Sequence, residues 1–416
     1  MIRVLFLIFI NLFIHSELIL EITESGNKQV KIAILQKNDS TFVGQQIVNI
    51  ISNDLKRTGE FDILSSDQLL SIPKNESEVI QRDWLMLDVD SIVFVETKEN
   101  GGSLDISYSI FNVSYNETQE KRRVLGLPEG IRQSSHYVSD GIYEFFFGIE
   151  GVSSTKLMYV TKNSNIHRLM ISDADGFNEQ ILLKSNKSII SPAWSLDAKD
   201  IAYVSFENNR AQVFTQNLAS GKRALVLSSN SSVSSPAWSP DKKHLAITST
   251  MDGNSEIYLI ELNTKKISRL TNNISIDTEP AWSVDGKKII FTSDRAGSPQ
   301  IYEIDVRTKL KRRITTQGNY NARASYLNEN EIVFVHRGSE NFNIAKLDLK
   351  TRELEVLTST QNDESPCIAP NGNVIIYSTK DGNLSYLAGV NISSKVKFKL
   401  PALYGELKEP AWSPFL

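Results

Sequence analysis

The pentapeptide Ser191-Pro192-Ala193-Trp194-Ser195 returns as Ser235-Pro236-Ala237-Trp238-Ser239, as Glu279-Pro280-Ala281-Trp282-Ser283 and, at the extreme C-terminus, as Glu409-Pro410-Ala411-Trp412-Ser413. The first three prolines, at 192, 236 and 280, lie 44 residues apart. A fixed period of that length means that one supersecondary unit is copied and that each copy buries its apolar face against the next. In the copy that begins at Pro280 four short runs follow one another: Pro280 to Ser283 (strand A), Lys288 to Thr292 (B), Gln300 to Asp305 (C) and Lys311 to Thr315 (D). Asp285-Gly286 and Ala296-Gly297-Ser298 supply turns between them. Four strands per copy and no helical period predict a β-propeller blade.

Counting back from strand B extends the repeat through degenerate copies. Arg323-Ala324-Ser325 and Pro366-Cys367-Ile368 stand where Pro-Ala-Trp is expected, which gives six registers with steps of 43, 43 and 44 residues after Pro280. The first unit supplies only strands B, C and D (Leu157 to Thr161, Arg168 to Ser172, Gln180 to Leu183), and the chain stops just after an orphan strand A at Ala411 to Ser413. That orphan is expected to complete the first blade and shut a six-bladed ring, removing the open edges of a linear array. Proline is tolerated at the start of a strand, where its missing N–H breaks no ladder bond. Trp194, Trp238, Trp282 and Trp412 are expected as wedges between blades, each burying roughly 150–250 Å².

Ahead of the repeats, about residues 17 to 148 read as an α/β domain. Leu18 to Thr23 and Val30 to Leu35 are β-rich, with Ser25-Gly26-Asn27 between them. Val43, Ile47, Ile50, Ile51 and Leu55 fall at helical spacing, and Gly59 suits the left-handed position that ends a helix. A strand at Phe61 to Leu64 follows, then a short helix capped by Ser66 or Asp67, and a second helix from about Glu76 to Leu87 that carries Trp84. Strands at Ser91 to Thr97, Leu104 to Val113 and Gln119 to Leu125 precede a last helix from Gly130 to Gly148. This alternation predicts a mixed sheet covered by helices. The propeller then occupies 152 to 416.

Tests for chemistry fail. The chain has no G-x-G-x-x-G, no G-x-x-x-x-G-K-[ST], no G-x-S-x-G and no H-E-x-x-H. His136 has no Cys or His partner nearby in sequence, and His167, His244 and His336 fall in different blades. Asp173-Ala174-Asp175-Gly176-Phe177-Asn178 has its glycine at the fourth position of a calcium-type loop instead of the sixth, so it reads as a C–D hairpin turn. Cys367, the lone cysteine, reads as a small buried hydrophobe. No cofactor and no metal are expected. A formal net charge of −4 argues against a nucleic-acid partner.

Met1-Ile2-Arg3 followed by the apolar run Val4 to Ile14 reads as a signal peptide occupying residues 1 to 16, with cleavage after Ser16. Eleven helical residues cover only about half of a ~30 Å hydrocarbon core, too little for a stable anchor. An exported, periplasmic protein is expected.

Taken together, these motifs resemble the TolB family of the bacterial Tol-Pal envelope system. The resemblance rests on the signal peptide, the α/β domain, six blades built on Pro-Ala-Trp-Ser and the ending from Glu409 to Leu416. It also rests on Asn53-Asp54-Leu55 with Thr58 to Phe61, on Thr292-Ser293-Asp294-Arg295-Ala296-Gly297 and on Asp363-Glu364-Ser365-Pro366.

The resemblance implies a noncatalytic adaptor that binds the peptidoglycan-associated lipoprotein Pal on one propeller face and TolA through the segment just after the signal peptide. Exchange between these partners would support outer-membrane integrity and constriction at division. Other envelope lipoproteins, porins and, at the propeller mouth, bacteriocins are further partners it implies. Carried onto this chain, the Pal face comprises Asp277, Thr278 and Glu279 ahead of strand A, Ser232 and Ser235 at the matching place one blade earlier, and Arg210, Asp294 and Arg295 between strands B and C. The TolA segment comprises Glu17, Leu18, Ile19, Leu20, Glu21, Ile22 and Thr23. The fifth blade departs most, with Arg323 expected in place of the motif proline. Two other classes compete with the adaptor: an exported propeller hydrolase or lyase, and a propeller that binds a small ligand.

Overall fold

The computed structural model describes residues 20–21, 28–38, 41–382, 384–400 and 405–416. The expected signal peptide and Glu17, Leu18, Ile19, Ile22 and Thr23 lie outside the described residues. After β1 (Leu20–Glu21), the α/β domain contains β2 (Val30–Gln36), α1 (Phe42–Thr58), β3 (Phe61–Ile63), α2 (Gln81–Met86), β4 (Ser91–Asn100), β5 (Ser103–Asn112), β6 (Glu117–Gly126) and α3 (Ile131–Phe147). Its sheet runs β3-β2-β4-β5-β6, parallel among the first three and antiparallel beyond, the mixed sheet that the alternating pattern predicts.

Strand alternation divides the core in two. Ile32 and Ile34 of β2 face α1 and α3, where Ile47, Ile51, Leu55, Val138 and Ile142 pack. Ala33 and Leu35 face the opposite way, toward Phe94, Phe111 and Trp84. α1 starts because the Thr41 side chain accepts from the Gly44 N–H at 3.0 Å, and it stops at Gly59, whose φ of 70° is left-handed. The connection from β3 to β4 is less helical than its sequence suggests. Two single 3₁₀ turns, Ser66–Gln68 and Glu76–Glu78, and the six-residue α2 replace the two expected helices, and Ser65 supplies the first cap. Of α2 only Trp84 is buried, so a single side chain docks this segment and no helical stripe is needed.

The remaining chain forms six four-stranded sheets. Blade 1 takes strand A from Glu406–Trp412 and strands B to D from Lys156–Asn163, Ile166–Asp173 and Gln180–Ser185. The C-terminal strand therefore closes the ring, pairing Trp412 with Leu157 and Leu407 with Thr161. Strand A of blades 2 to 6 is Ile189–Trp194, Val233–Trp238, Asp277–Trp282, Tyr320–Tyr326 and Glu364–Ile368.

These strands start before the proline, contrary to the expectation that proline opens them. In each, the ladder breaks at a bulge and resumes at the residue after the proline position, as between Thr278 and Ala281. The missing proline N–H thus falls at the bulge, where no ladder bond is made. The residue before each proline is left-handed: Ser191, Ser235, Glu279, Ser365 and Glu409 have φ between 52 and 57°.

Arg323, with φ of 53°, joins this set. It is the counterpart of Glu279, so Ala324 replaces the motif proline and Tyr326 the tryptophan, one place off the sequence alignment. The cause is the A–B turn of blade 5, which is one residue shorter: Tyr326 pairs with Ile332, whereas Trp282 pairs with Ile289. Counting back from strand B hid that deletion.

Ser-x-Asp after Trp194, Trp238 and Trp282 builds the A–B turn. Ser283 Oγ donates to Asp285 Oδ1 at 2.7 Å and accepts from the Lys288 N–H at 3.0 Å, while Asp285 takes the Lys287 N–H at 3.0 Å. Gly286 completes the turn with φ of 69°. The tryptophans lie between blades: Trp194 Nε1 reaches the Ala411 carbonyl at 3.0 Å, and Trp282 Nε1 the Ala237 carbonyl at 3.1 Å, each on the preceding strand A.

Because strand directions alternate, D–A and B–C loops gather at one end of the propeller and A–B and C–D turns at the other. The α/β domain packs on the second end, over blades 1 and 6. Ser394 Oγ of the C–D turn in blade 6 donates to the Thr58 carbonyl at 2.8 Å, and Asn373 Nδ2 donates to Tyr143 Oη at 2.9 Å.

Candidate partner-binding site

Every candidate on the expected Pal face lies on the D–A/B–C half of the propeller, away from the α/β domain. The side chains divide into exposed groups and groups that hold the loops. Arg210 and Ser232 are exposed, and Thr278 and Asp294 are half-buried. Asp277 is fully buried. Its two oxygens take Arg295 Nη2 at 2.7 and 2.6 Å, and the Arg295 guanidinium lies over Tyr302, 4.8 Å from the ring centroid. Burial pushes the Asp277 carboxyl above its ordinary value, with Arg295 opposing. Asp277 and Arg295 thus form an internal strut between the D–A and B–C loops of blade 4.

The loop from Leu270 to Asp277 is braced on both sides. Asn254 Nδ2 donates to the carbonyls of Asn273 and Ser275 at 3.0 and 2.6 Å. Glu256, buried, takes the Asn273 N–H at 2.6 Å and Arg269 Nη2 at 2.8 Å, and Asp294 Oδ1 takes the Ile276 N–H at 2.8 Å. This fixed loop holds Ile274 97% exposed and Ile276 49% exposed, two residues upstream of Thr278. Neither belongs to a motif, although two isoleucines in a polar loop, Asn272-Asn273-Ile274-Ser275-Ile276-Asp277, are out of place for a solvated turn.

Ser235 and Glu279 sit elsewhere than Thr278. With Ser191, Arg323, Ser365 and Glu409 they line the central channel, a cavity of about 170 Å³. Arg323 braces that channel internally. Its Nε lies 3.1 Å from Glu279, its Nη2 3.8 Å from Glu409, and its Nη1 contacts Ser365 Oγ. Glu279 also accepts from Thr292 Oγ1 at 2.8 Å.

The expected TolA segment is represented by β1 alone. Leu20 pairs with Phe398 and Glu21 with Lys397, so β1 adds a fifth strand to the outer edge of blade 6.

Among the described residues, one group, Asp54, His136 and Asp175, has the donors for a metal. The surrounding cations occupy it differently: Arg132 bonds Asp175, Lys156 bonds Asp173, and Arg57 lies 3.4 Å from Asp54. The group is a neutralised ion-pair network. His136 finds its partners there, and the turn from Asp173 to Asn178 is a C–D turn facing the α/β domain. His336 Nδ1 lies 2.8 Å from Asn321 Oδ1. Cys367 is packed in the core shared by blades 6 and 1, and burial pushes its thiol up to about 12. Among the described residues no helix is long and apolar enough to cross a membrane.

Comparisons with known proteins agree with this architecture. Residues 143–416 match the TolB beta propeller domain and residues 18–119 the TolB amino-terminal domain. The chain is 48% identical over 407 residues to the Tol-Pal system protein TolB of Pseudomonas aeruginosa, covering 95% of this chain and 94% of that protein. It is 41% identical over 408 residues to that of Alcanivorax borkumensis, covering 97% and 94%. The crystal structure of TolB from Acinetobacter baumannii superposes with a TM-score of 0.87 at 36% identity, covering 96% of this chain and all of that one. Period, domain order, closing strand and these similarities lead to one conclusion: the chain belongs to the TolB family.

Proposed function

We propose that this protein is a noncatalytic periplasmic adaptor of the Tol-Pal system, binding Pal through the D–A/B–C face and TolA through the segment from Glu17 to Thr23. Supporting this reading above all is the separation of two unlike surfaces. The braced loops around Thr278 lie at one end of the propeller, while β1 sits on the outer edge of blade 6. A preordered loop loses little conformational freedom on docking, which favours a protein partner.

The N-terminal segment suits exchange. Main-chain pairing of Leu20 and Glu21 with blade 6 uses the same backbone groups that an incoming strand would need. One segment cannot pair with the blade and with TolA at once, so release from blade 6 precedes capture. That competition gives the adaptor two states, through which it would support envelope integrity and constriction at division.

The test is a pull-down with the soluble domain of Pal from the same cell. Thr278→Arg places a long cation on the face and is expected to weaken capture at least tenfold while leaving the melting temperature nearly unchanged. Unaltered Pal affinity in that variant would remove Thr278 from the site, and no capture by the wild-type chain would remove the reading.

A further inference from the structure

The buried group at the junction of the two domains has an electrostatic logic that the adaptor reading does not use. His136, on α3, is fully buried. Its Nδ1 lies 2.7 Å from Asp54 Oδ2 of α1, within its own domain. Its Nε2 points across the seam and lies 3.9 Å from both Asp173 Oδ2 and Asp175 Oδ2 in the C–D turn of blade 1, with no hydrogen-bond partner of its own.

Neither neutral tautomer fits this setting. With the proton on Nδ1, the Nε2 lone pair faces two carboxylates across the seam. With the proton on Nε2, the Nδ1 lone pair faces Asp54 at hydrogen-bond distance. Only the imidazolium presents an N–H to both sides. The neighbours complete the balance. Arg57 and Asp140 flank Asp54 from α1 and α3, while Arg132 of α3 lies 3.6 Å from Asp173, bonds Asp175 and stacks on Phe177 at 4.3 Å. Lys156 of blade 1 bonds Asp173 and donates to Gln133 of α3 at 3.2 Å.

We infer that His136 is a proton-dependent latch: its imidazolium, held between Asp54 and the Asp173–Asp175 turn, fixes the α/β domain in one orientation on the propeller, and loss of that proton frees the seam. Burial by itself would lower the affinity of His136 for its proton, but Asp54, Asp173 and Asp175 outweigh it and push the pKa up to about 9. The latch is therefore closed at neutral pH and opens in alkali. α1 extends the consequence, because its last turn carries Asp54 at the latch and, four residues on, the Thr58 carbonyl that holds Ser394 of blade 6. The β1 pairing strand of blade 6 begins three residues after Ser394.

The experiment uses the full chain with Cys367→Ala and nitroxide labels on Leu125→Cys of β6 and Leu310→Cys of blade 4, sites that are 65% and 74% exposed. Pulsed electron resonance measures the interdomain distance on samples equilibrated from pH 6 to 10. One narrow distance is expected up to about pH 8, broadening with a midpoint near pH 9. Asp54→Asn is expected to move the midpoint down by about 1–3 pH units, and Arg132→Gln to loosen the seam without removing the pH step. His136→Gln is expected to give a broad distribution at every pH. A narrow distribution in His136→Gln, or a pH step that survives in it, overturns the inference. Should that variant not fold, the His136 ring resonance of the wild-type chain decides: a titration midpoint below pH 7, or one that does not coincide with the distance change, overturns it equally.

Discussion

Replacing Trp412 with alanine tests whether the C-terminal strand is the clasp of the ring. Trp412 is 8% exposed and packs among Leu157, Tyr159 and Met170 of blade 1 and Val374, Leu387 and Phe398 of blade 6. Removing such an aromatic side chain costs about 3–5 kcal/mol. Its Nε1 also donates to Thr155 Oγ1 at 2.7 Å, and losing that bond adds about 1 kcal/mol. The total of about 4–6 kcal/mol, with a urea slope of about 3 kcal/mol/M for a propeller this large, predicts a midpoint lowered by about 1.3–2 M. Trp238→Ala is the internal comparison. Trp238 is half-buried, its Nε1 has no partner, and it lies within the chain instead of at the closure, so about 2–3 kcal/mol is expected. Urea unfolding followed by near-ultraviolet circular dichroism measures both. A Trp412→Ala cost below about 2 kcal/mol, or below that of Trp238→Ala, would show that closure does not rest on this side chain.

Gly59→Ala tests the seam from another side. The residue has φ of 70°, and an added Cβ would lie 2.3 Å from Val396 Cγ2 of blade 6; strain of about 1 kcal/mol joins a clash, so a fall of at least about 2 kcal/mol in stability by urea titration is expected. Ile274→Asp removes an exposed apolar side chain from the braced loop; the melting temperature is expected to hold while Pal capture falls at least tenfold, and Leu196→Asp, exposed on the opposite face, is expected to change neither. Stability should also depend on pH through His136. Its pKa is about 9 in the folded protein against an ordinary value of 6.5, so the contribution is complete below about pH 6.5 and lost as pH rises through 9. That difference corresponds to about 3 kcal/mol, measured as the urea midpoint between pH 6 and 10, and His136→Gln should flatten this dependence.

The ring was legible in the sequence because a propeller writes its period into the chain. Pro-Ala-Trp-Ser recurs on four of the six A strands that line the channel, and the orphan copy at Trp412 announces the closure. α1 was equally legible, since its apolar spacing and Gly59 are local signals. Register was not. The one-residue deletion in the A–B turn of blade 5 moved Arg323 onto the Glu279 position, and only cross-strand pairing reveals it. Site chemistry was less legible still. Asp277 read as a loop residue that a partner would touch, yet it is buried against Arg295, eighteen residues away. Read alone, His136 is a packed histidine and Asp173–Asp175 part of a hairpin turn, because nothing in a linear chain reports that 37 residues and a domain boundary separate two halves of one charge network. Local patterns of apolarity and turn residues determine which elements form, since those depend on neighbours in sequence. Which charges meet, which isoleucine stays in water and which strand receives the N-terminal segment depend on the packing of distant elements, and the tertiary structure alone decides them.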